Sequence, residues 1–431
     1  MANSFSKEER VAFEDILEGF NDALVLSKNV SMYRTDGTMM ERTNNIIWRP
    51  QPYIAQSFDG TDQSLNFTDF TQLTVPATLG FSKSVPWTMT SLEMRDALQE
   101  GRLGDAAKQK LASDINLAIM NVAALQGSLV VRTFAAAGDY DDVALCDTIM
   151  NEQGVQQFDR YLALSSRDYN GMAGNLAVAT RSFGNKVSDD AYRKGFVGDV
   201  AGFMTYKFDY ANRIRAAGGS DPTIDTRAAA GNYWVPVATT VAPTGESSNV
   251  DNRFQTITHS SVTTELAAGD AITISGVNAV HHITKGDTGE LKTFRIVQRL
   301  TATTSVITPP IISAQGGSDA ELQYQNCVVT PASGATIGRL NNAAAPINCF
   351  WQKDALEILP GRYAVPTDAG AAVMRASTDQ GIELVMQKQY DINTMKTKYR
   401  LDTLFGVVNK QPEMSGIRSL IRRLPDDQRA G

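Results

Sequence analysis

The sequence predicts an α+β fold interrupted by an all-β domain, and three observations predict it. An apolar stripe at three- and four-residue spacing (Leu111, Ile115, Ala118, Ile119, Val122, Leu125) describes a helix of about five turns. Residues 222–346 then lose helical periodicity, gain Thr, Ser, Gly and Asn, and hold short apolar runs between turn signals. After residue 347 mixed strand and helix character returns, so the parent domain is expected to be discontinuous.

Composition bounds the function. The 431 residues correspond to two or three domains at about 150 residues each. With 40 basic and 47 acidic residues the net charge is −7, which excludes a chain built mainly to coat nucleic acid. An apolar fraction of 42% is enough for large cores and excludes global disorder. The three cysteines, Cys146, Cys327 and Cys349, are odd in number and far apart, so a disulfide scaffold is not expected. Acids interrupt the N-terminal stretch where a signal peptide would be apolar, and no window approaches the ~18 apolar residues of a membrane span. A soluble, multi-domain protein of a reducing compartment is expected.

Residues 4–28 read as an amphipathic helix with Ser6 and Glu9 at capping-box spacing. Phe13, Ile16, Leu17, Phe20 and Leu24 form its stripe, which docks either on its own domain or on a neighbouring subunit. Residues 45–90 read as a long ribbon. Trp48 precedes Arg49-Pro50-Gln51-Pro52, where each proline forces its predecessor to extended geometry. Leu73, Val75, Ala77, Leu79 and Phe81 alternate, with Pro76 marking an edge strand or bulge and Asp59-Gly60 a turn. Such a ribbon has too few apolar residues for its own core and must lie on something else, another chain included.

Thr90 and Glu93 open a short helix to about Glu100. Gly101 and Gly104 are expected to interrupt it, with Asp105 capping a second helix that ends at Gly127. That second span would be ~32 Å long, a spine for other elements. Residues 133–221 read as mixed α/β. One helix follows Asp139–Asp142 with Val143, Leu145, Ile149 and Met150. Another spans residues 188–195, acids first, bases last and Gly195 after. Within 222–346 strands are expected at 254–258, 271–275, 294–300, 305–308 and 326–330, a small sandwich or barrel. Further strands are expected at 355–359, 381–386 and 398–408, with a loose polar tail beyond.

Enzymatic signatures are missing. No P-loop, no dinucleotide-binding glycine motif, no H-E-x-x-H and no G-x-S-x-G occurs. The three histidines, His259, His281 and His282, all fall in the β region. Adjacent strand residues point to opposite faces, so His281 and His282 are expected as a strand-end pair open to water rather than a metal site. Asp139, Asp141, Asp142 and Asp147 read as a solvated helix start, and Cys349 as a small buried hydrophobe. No catalytic, cofactor or metal residue is expected.

Several segments in order resemble a known family. Asn249-Val250-Asp251-Asn252-Arg253-Phe254, with Thr256, Gly269-Asp270 and the Ile272/Ile274 strand into Gly276-Val277, resembles a telokin-like inserted β domain. Asn45-Ile46-Ile47-Trp48-Arg49-Pro50 resembles the start of an extended loop. Residues 92–131, with Arg95-Asp96 and Gly127-Ser128-Leu129-Val130, resemble the region of a spine helix. Ala191-Tyr192-Arg193 with Val200-Ala201-Gly202-Phe203 resembles the approach to the insertion. Phe350-Trp351 with Asp354-Ala355, and Phe405-Gly406-Val407 with Pro412-Glu413, resemble the return. Together they resemble the major coat (capsid) proteins of P22-like tailed double-stranded-DNA phages. The 239–248 loop departs from the pattern, carrying one acid, Glu246, where the family is richer.

The resemblance implies the HK97-like capsid fold. Its parts would be an N-terminal arm (1–44), an extended β loop (45–90), a peripheral domain with the spine helix (91–132), an axial and peripheral α/β core (133–221), the inserted β domain (222–346) and a return to the core (347–431). It implies a non-enzymatic protein that assembles with itself as pentamers and hexamers, with a scaffolding protein and a portal protein, around packaged double-stranded DNA. Assembly would occur in the host cytoplasm, without membrane or cofactor. The residues expected at subunit interfaces are Glu246, Asp251, Arg253, Trp48, Leu73, Val75, Pro76, Phe13 and Phe20. Asp251 or Arg253 could instead pin the loop internally. The alternative is a receptor- or glycan-binding protein acting through its Thr/Asn-rich β domain.

Overall fold

A computed structural model of the chain describes residues 5, 7–33, 46–52, 57, 59–62, 64, 67, 70–93, 97–133, 140–179, 190–191, 193–208, 213–225, 234–365 and 371–420. Ser6, Asn45, Arg95, Asp96, Asp139, Ser188, Asp189, Tyr192 and the tail after residue 420 lie outside the described residues. The chain divides into two compact units, each built from three stretches of sequence. One is Met1–Ile47, Pro76–Asn121 and Leu356–Val408; the other is Trp48–Val75, Val122–Ala355 and Asn409–Gly431.

The first unit is a sheet with helices on it. The sheet runs Ser31–Met32, Leu356–Pro360, Lys396–Asn409, Glu383–Asp391, Ala372–Ser377, and strand Phe81–Thr90 also pairs with Lys396–Asn409. Helix Lys7–Ala23 buries Phe13, Ile16 and Phe20, at most 6% exposed, inside this unit. Of the two destinations open to the stripe, the structure takes its own domain. The helix sits close to the 30-residue helix Ala97–Gln126 because glycines face it: a Cβ on Gly104 would come within 2.6 Å of Ile16 Cδ1. Glu9 is buried against Lys388 and the Tyr399 hydroxyl (3.1 Å).

Helix Ala97–Gln126 is continuous, which corrects the expected break at Gly101 and Gly104. A helical glycine costs about 1 kcal/mol, while burying one Leu or Ile returns about 1.5–3. Leu111, Ile115 and Ile119 in the same helix are fully buried, so packing overrides propensity. Asp105, expected as a cap, instead pairs with Lys108 (2.7 Å). The Thr90/Glu93 reciprocal hydrogen bonds do form (2.8 and 3.4 Å).

The second unit holds two larger sheets. One has the order Leu129–Thr133, Ser415–Leu420, Asn348–Gln352, Arg160–Leu164, Phe203–Lys207, Asp199–Val200. Helices Tyr140–Glu152 and Ser166–Ala179 share a core with it that includes Val143, Cys146, Met150, Leu162, Met172, Phe203 and Phe350. Gly195 closes a helical turn at φ +61°, its N–H donating to Ala191 O at 3.0 Å. The other sheet is antiparallel, ordered Gln255–Thr258, Thr304–Thr308, Asp287–Arg299, Ala271–Val280, Ile337–Arg339. It has a separate core of alternating residues, among them Ile257, Ile272, Ile274, Phe294, Ile296, Ile307 and Ile337.

Residues 326–330, expected as a strand, make only one bridge, Ala279 to Cys327. The Asn326 side chain diverts the backbone there, accepting from Ile312 N and donating to Pro310 O. Helix Asp319–Tyr324, not expected, carries a full capping box between Ser318 and Glu321.

A Cβ on Gly416 would lie 2.3 Å from Leu129 O and 2.6 Å from Phe350 Cζ, so strands Ser415–Leu420 and Leu129–Thr133 approach closely only with glycine there. Gly416→Ala is expected to destabilise the unassembled chain by about 3 kcal/mol. Urea unfolding measures this, and an unchanged midpoint would refute the close-approach account.

Candidate interaction surfaces

The ribbon pairs Ile46–Pro50 with Thr74–Thr78. Gln51 N donates to Leu73 O at 3.0 Å, and Gln72 Nε2 donates to Gln51 O at 3.1 Å. Leu73 is 1% exposed and packs with Ile312, Tyr324 and Trp234, and the Tyr324 hydroxyl donates to Thr71 O at 3.1 Å. Val75 is fully buried, whereas Trp48 and Pro76 are half-buried. The base of the ribbon therefore lies on its own chain. Phe67 and Phe70 nearer its tip remain 87% and 61% exposed.

The second group gathers around residues 250–254. Asn252 is buried and uses its whole amide: Oδ1 accepts from Trp234 Nε1 and Val237 N, and Nδ2 donates to the carbonyls of Val237 and Val250. Arg253 is also buried. Its Nε and Nη2 donate to the Asp251 carboxylate (2.9 and 2.7 Å), Nη1 donates to Asn409 O (2.9 Å), and the guanidinium lies over Phe254 at 4.9 Å. Asp251 and Arg253 thus pin the loop internally. Glu246 is not brought to them. It lies at the turn of a fully exposed hairpin, Thr239–Val241 with Ser247–Asn249.

A buried ionic cluster was not foreseen. Lys292 is 1% exposed and donates to Glu413 Oε1 and, at 2.9 Å, to Gln153 Oε1. His282 is 7% exposed, with Nε2 3.3 Å from Glu413 Oε2 but not aligned as a hydrogen bond. Its backbone N–H donates to Gln153 O, and His281 packs over Gly154, where a Cβ would meet its ring at 2.9 Å. Lys285 Nζ caps the carbonyls of Gln323 and Gln325. The expected water-exposed histidine pair is corrected: the turn after Val280 tucks His282 inward, where burial, outweighing the nearby Glu413, lowers its pKa to about 4. Burial opposes the charge on Glu413, but His282 and the two lysines outweigh it and hold the carboxyl below its ordinary value.

Other arginines work the same way. Arg160 is buried against Asp147, Asn151 and the carbonyls of Val155 and Gln156, and Arg418 pairs with Asp142 at 2.6 Å. Asp142 and Asp147 are therefore ion-pair partners, not a merely solvated helix start. Cys146, Cys327 and Cys349 are buried free thiols, each pushed by burial to about 12. Among the described residues no cluster could hold a metal ion and no helix is long and apolar enough to cross a membrane. The capping boxes and paired Asp251/Arg253 were visible as spacing. The Lys292–Glu413 and Arg418–Asp142 pairs, far apart in sequence, left no such signal.

Solved phage structures are among those the chain is similar to. One is from Mycobacterium phage Che8, at 9% identity over 92% of this chain and 90% of that one, with a TM-score of 0.44. Another is the asymmetric unit of the bacteriophage PhiM1 mature capsid, at 10% identity over 98% and 89%, with a TM-score of 0.43. The CUS-3 coat protein I-domain is 32% identical over 29% of this chain and 99% of its own length, with a TM-score of 0.23. The class is that of phage coat proteins. Residues 1–420 match the family described as P22 coat protein – gene protein 5, and the chain belongs to that family.

Arg253→Glu is expected to lower the stability of the full-length unassembled chain by about 3 kcal/mol, because it breaks a buried pair and strands Asp251. A wild-type unfolding curve would move Arg253 out of this internal role. The His282 cluster predicts acid sensitivity. A histidine whose pKa is depressed in the fold stabilises fully above its unfolded value of 6.5 and loses that contribution as pH falls towards about 4. Glu413, also depressed, loses its contribution in the same sense. Thermal midpoints should therefore fall between about pH 6.5 and 4 in the wild type. His282→Gln should flatten that fall, and an unaltered slope would refute the assignment.

Proposed function

We propose that the protein is the shell-forming subunit of a phage capsid, assembling with itself as pentamers and hexamers into an icosahedral shell of HK97-like subunits. A scaffolding protein directs assembly in the host cytoplasm, a portal protein occupies one position, and the finished shell encloses double-stranded DNA. The observation that carries the reading is membership of the coat protein family over residues 1–420. It has three further supports. No described cluster of residues makes a metal centre, and the cysteine thiols are buried and protonated. The net charge of −7 suits a container that must hold DNA without gripping it. The ribbon leaves Phe67 and Phe70 in water, where only a partner would cover them.

In this reading Trp48, Pro76 and the ribbon tip meet a neighbouring subunit, and Glu246 on its exposed hairpin meets another. Leu73, Val75, Phe13 and Phe20 act by shaping the subunit, since their own chain already covers them.

Co-expression with the scaffolding partner and electron microscopy of the product is the direct test. Closed shells of uniform size are expected, and a chain that stays monomeric would refute the reading. Phe67→Ser should leave the unfolding midpoint of the unassembled chain unchanged and reduce shell yield at least about tenfold, a loss of about 1.4 kcal/mol per contact. Normal yield would remove the ribbon tip from the interface.

A further inference from the structure

The most exposed apolar side chains of the first unit gather at one place. Strands Glu383–Asp391 and Lys396–Asn409 form a hairpin whose tip carries Ile392 at 78% exposure and Met395 at 60%, with Tyr390 at its base at 39%. Lys396 is in register with Thr90, so the chain leaving strand Phe81–Thr90 passes beside the tip and adds Leu92 at 77% exposure. Scattered single apolar residues need no explanation, but a group of large ones on one tip does.

The tip is held in shape. Asp391 accepts from Asn393 N and from Thr394 Oγ1, both at 3.0 Å, and Ser91 Oγ donates to Met395 O at 2.9 Å. Met395 sits at φ +52°, a left-handed conformation that glycine adopts freely and a side chain does not. A large apolar residue thus occupies a strained position and stays in water. Nothing in its own fold gains from that side chain. The rim carries both signs, with Glu93 on one side and Lys396 and Lys398 on the other, all exposed. An apolar centre with a rim of both signs complements a rotated copy of itself.

We propose that this tip is a self-contact, in which the hairpin tip of one copy packs against the same tip of a neighbouring copy in the shell. The proposal rests on the coat-protein reading above. Ile392→Cys provides the first test, since the native cysteines are all buried. Disulfide-linked dimers are expected from its assembled shells under mild oxidant and none from the unassembled chain. Met395→Gly provides the second. It relieves the strained backbone, so the unassembled chain should melt at or above the wild-type temperature while shell yield falls at least tenfold. A residue serving only its own fold would instead lower the melting temperature. Wild-type protein is assembled alongside. If it forms no shells, the coat-protein reading itself fails. If it does, shells of Ile392→Cys that stay monomeric on a non-reducing gel, or Met395→Gly shells in normal yield, overturn the tip contact alone.

Discussion

Lys292 and Glu413 are taken out of water together, and much of the second unit depends on their meeting. Burying either charge alone would cost several kcal/mol. Paired, and with Gln153 accepting from the lysine, they are tolerated. One stands on strand Asp287–Arg299 and the other in the short turn Pro412–Met414, 121 residues apart. Neither segment can settle until the other arrives. Such a pair contributes less to net stability than to specificity, because it penalises every arrangement that separates the partners.

The same device recurs around it. Arg253 reaches the Asn409 carbonyl, Arg295 the Ala124 carbonyl, and Thr293 Oγ1 the Ser128 carbonyl. Each long side chain leaves the antiparallel sheet region and satisfies a backbone oxygen elsewhere in the unit that would otherwise be unpaired. Glycines permit the approach. Gly127 ends the long helix where a Cβ would meet Ala123 O at 2.6 Å and Gly416 N at 3.0 Å. In the first unit Gly406 lets its strand pass Thr78, whose carbonyl oxygen a Cβ would approach to 2.2 Å.

What the chain covers and what it leaves open divide cleanly. The terminal helix and the base of the ribbon bury their apolar stripes on their own chain. The Phe67/Phe70 end of the ribbon, the Thr239–Asn249 hairpin and the Ile392/Met395 tip do not. A coat protein needs a subunit that folds before it assembles, so its interior contacts must be complete without neighbours while its extremities are not. Extremities on β-hairpins suit this, because a hairpin is fixed by its own ladder and can hold an exposed side chain in place.

Periodicity determined a good deal by itself. The stripe of Phe13, Ile16 and Phe20, the alternation of Leu73, Val75 and Ala77, the apolar face of the long helix and the paired isoleucines at 272 and 274 are all buried as their spacing requires. These are local signals, set by 3.6- and 2-residue repeats that any fold must respect. The ordered segments from Asn45 to Glu413 further made the family legible. The tertiary structure decided the rest. It ran the long helix through Gly101 and Gly104, because burial of Leu111 and Ile115 outweighs the cost of glycine. It turned His282 inward, because Glu413 and Lys292 were waiting there. It assigned Arg253 to an internal clasp, because Asn409, 156 residues away, offers its carbonyl. Charge pairs so far apart in sequence have no period, so only the fold that brings them together reveals them.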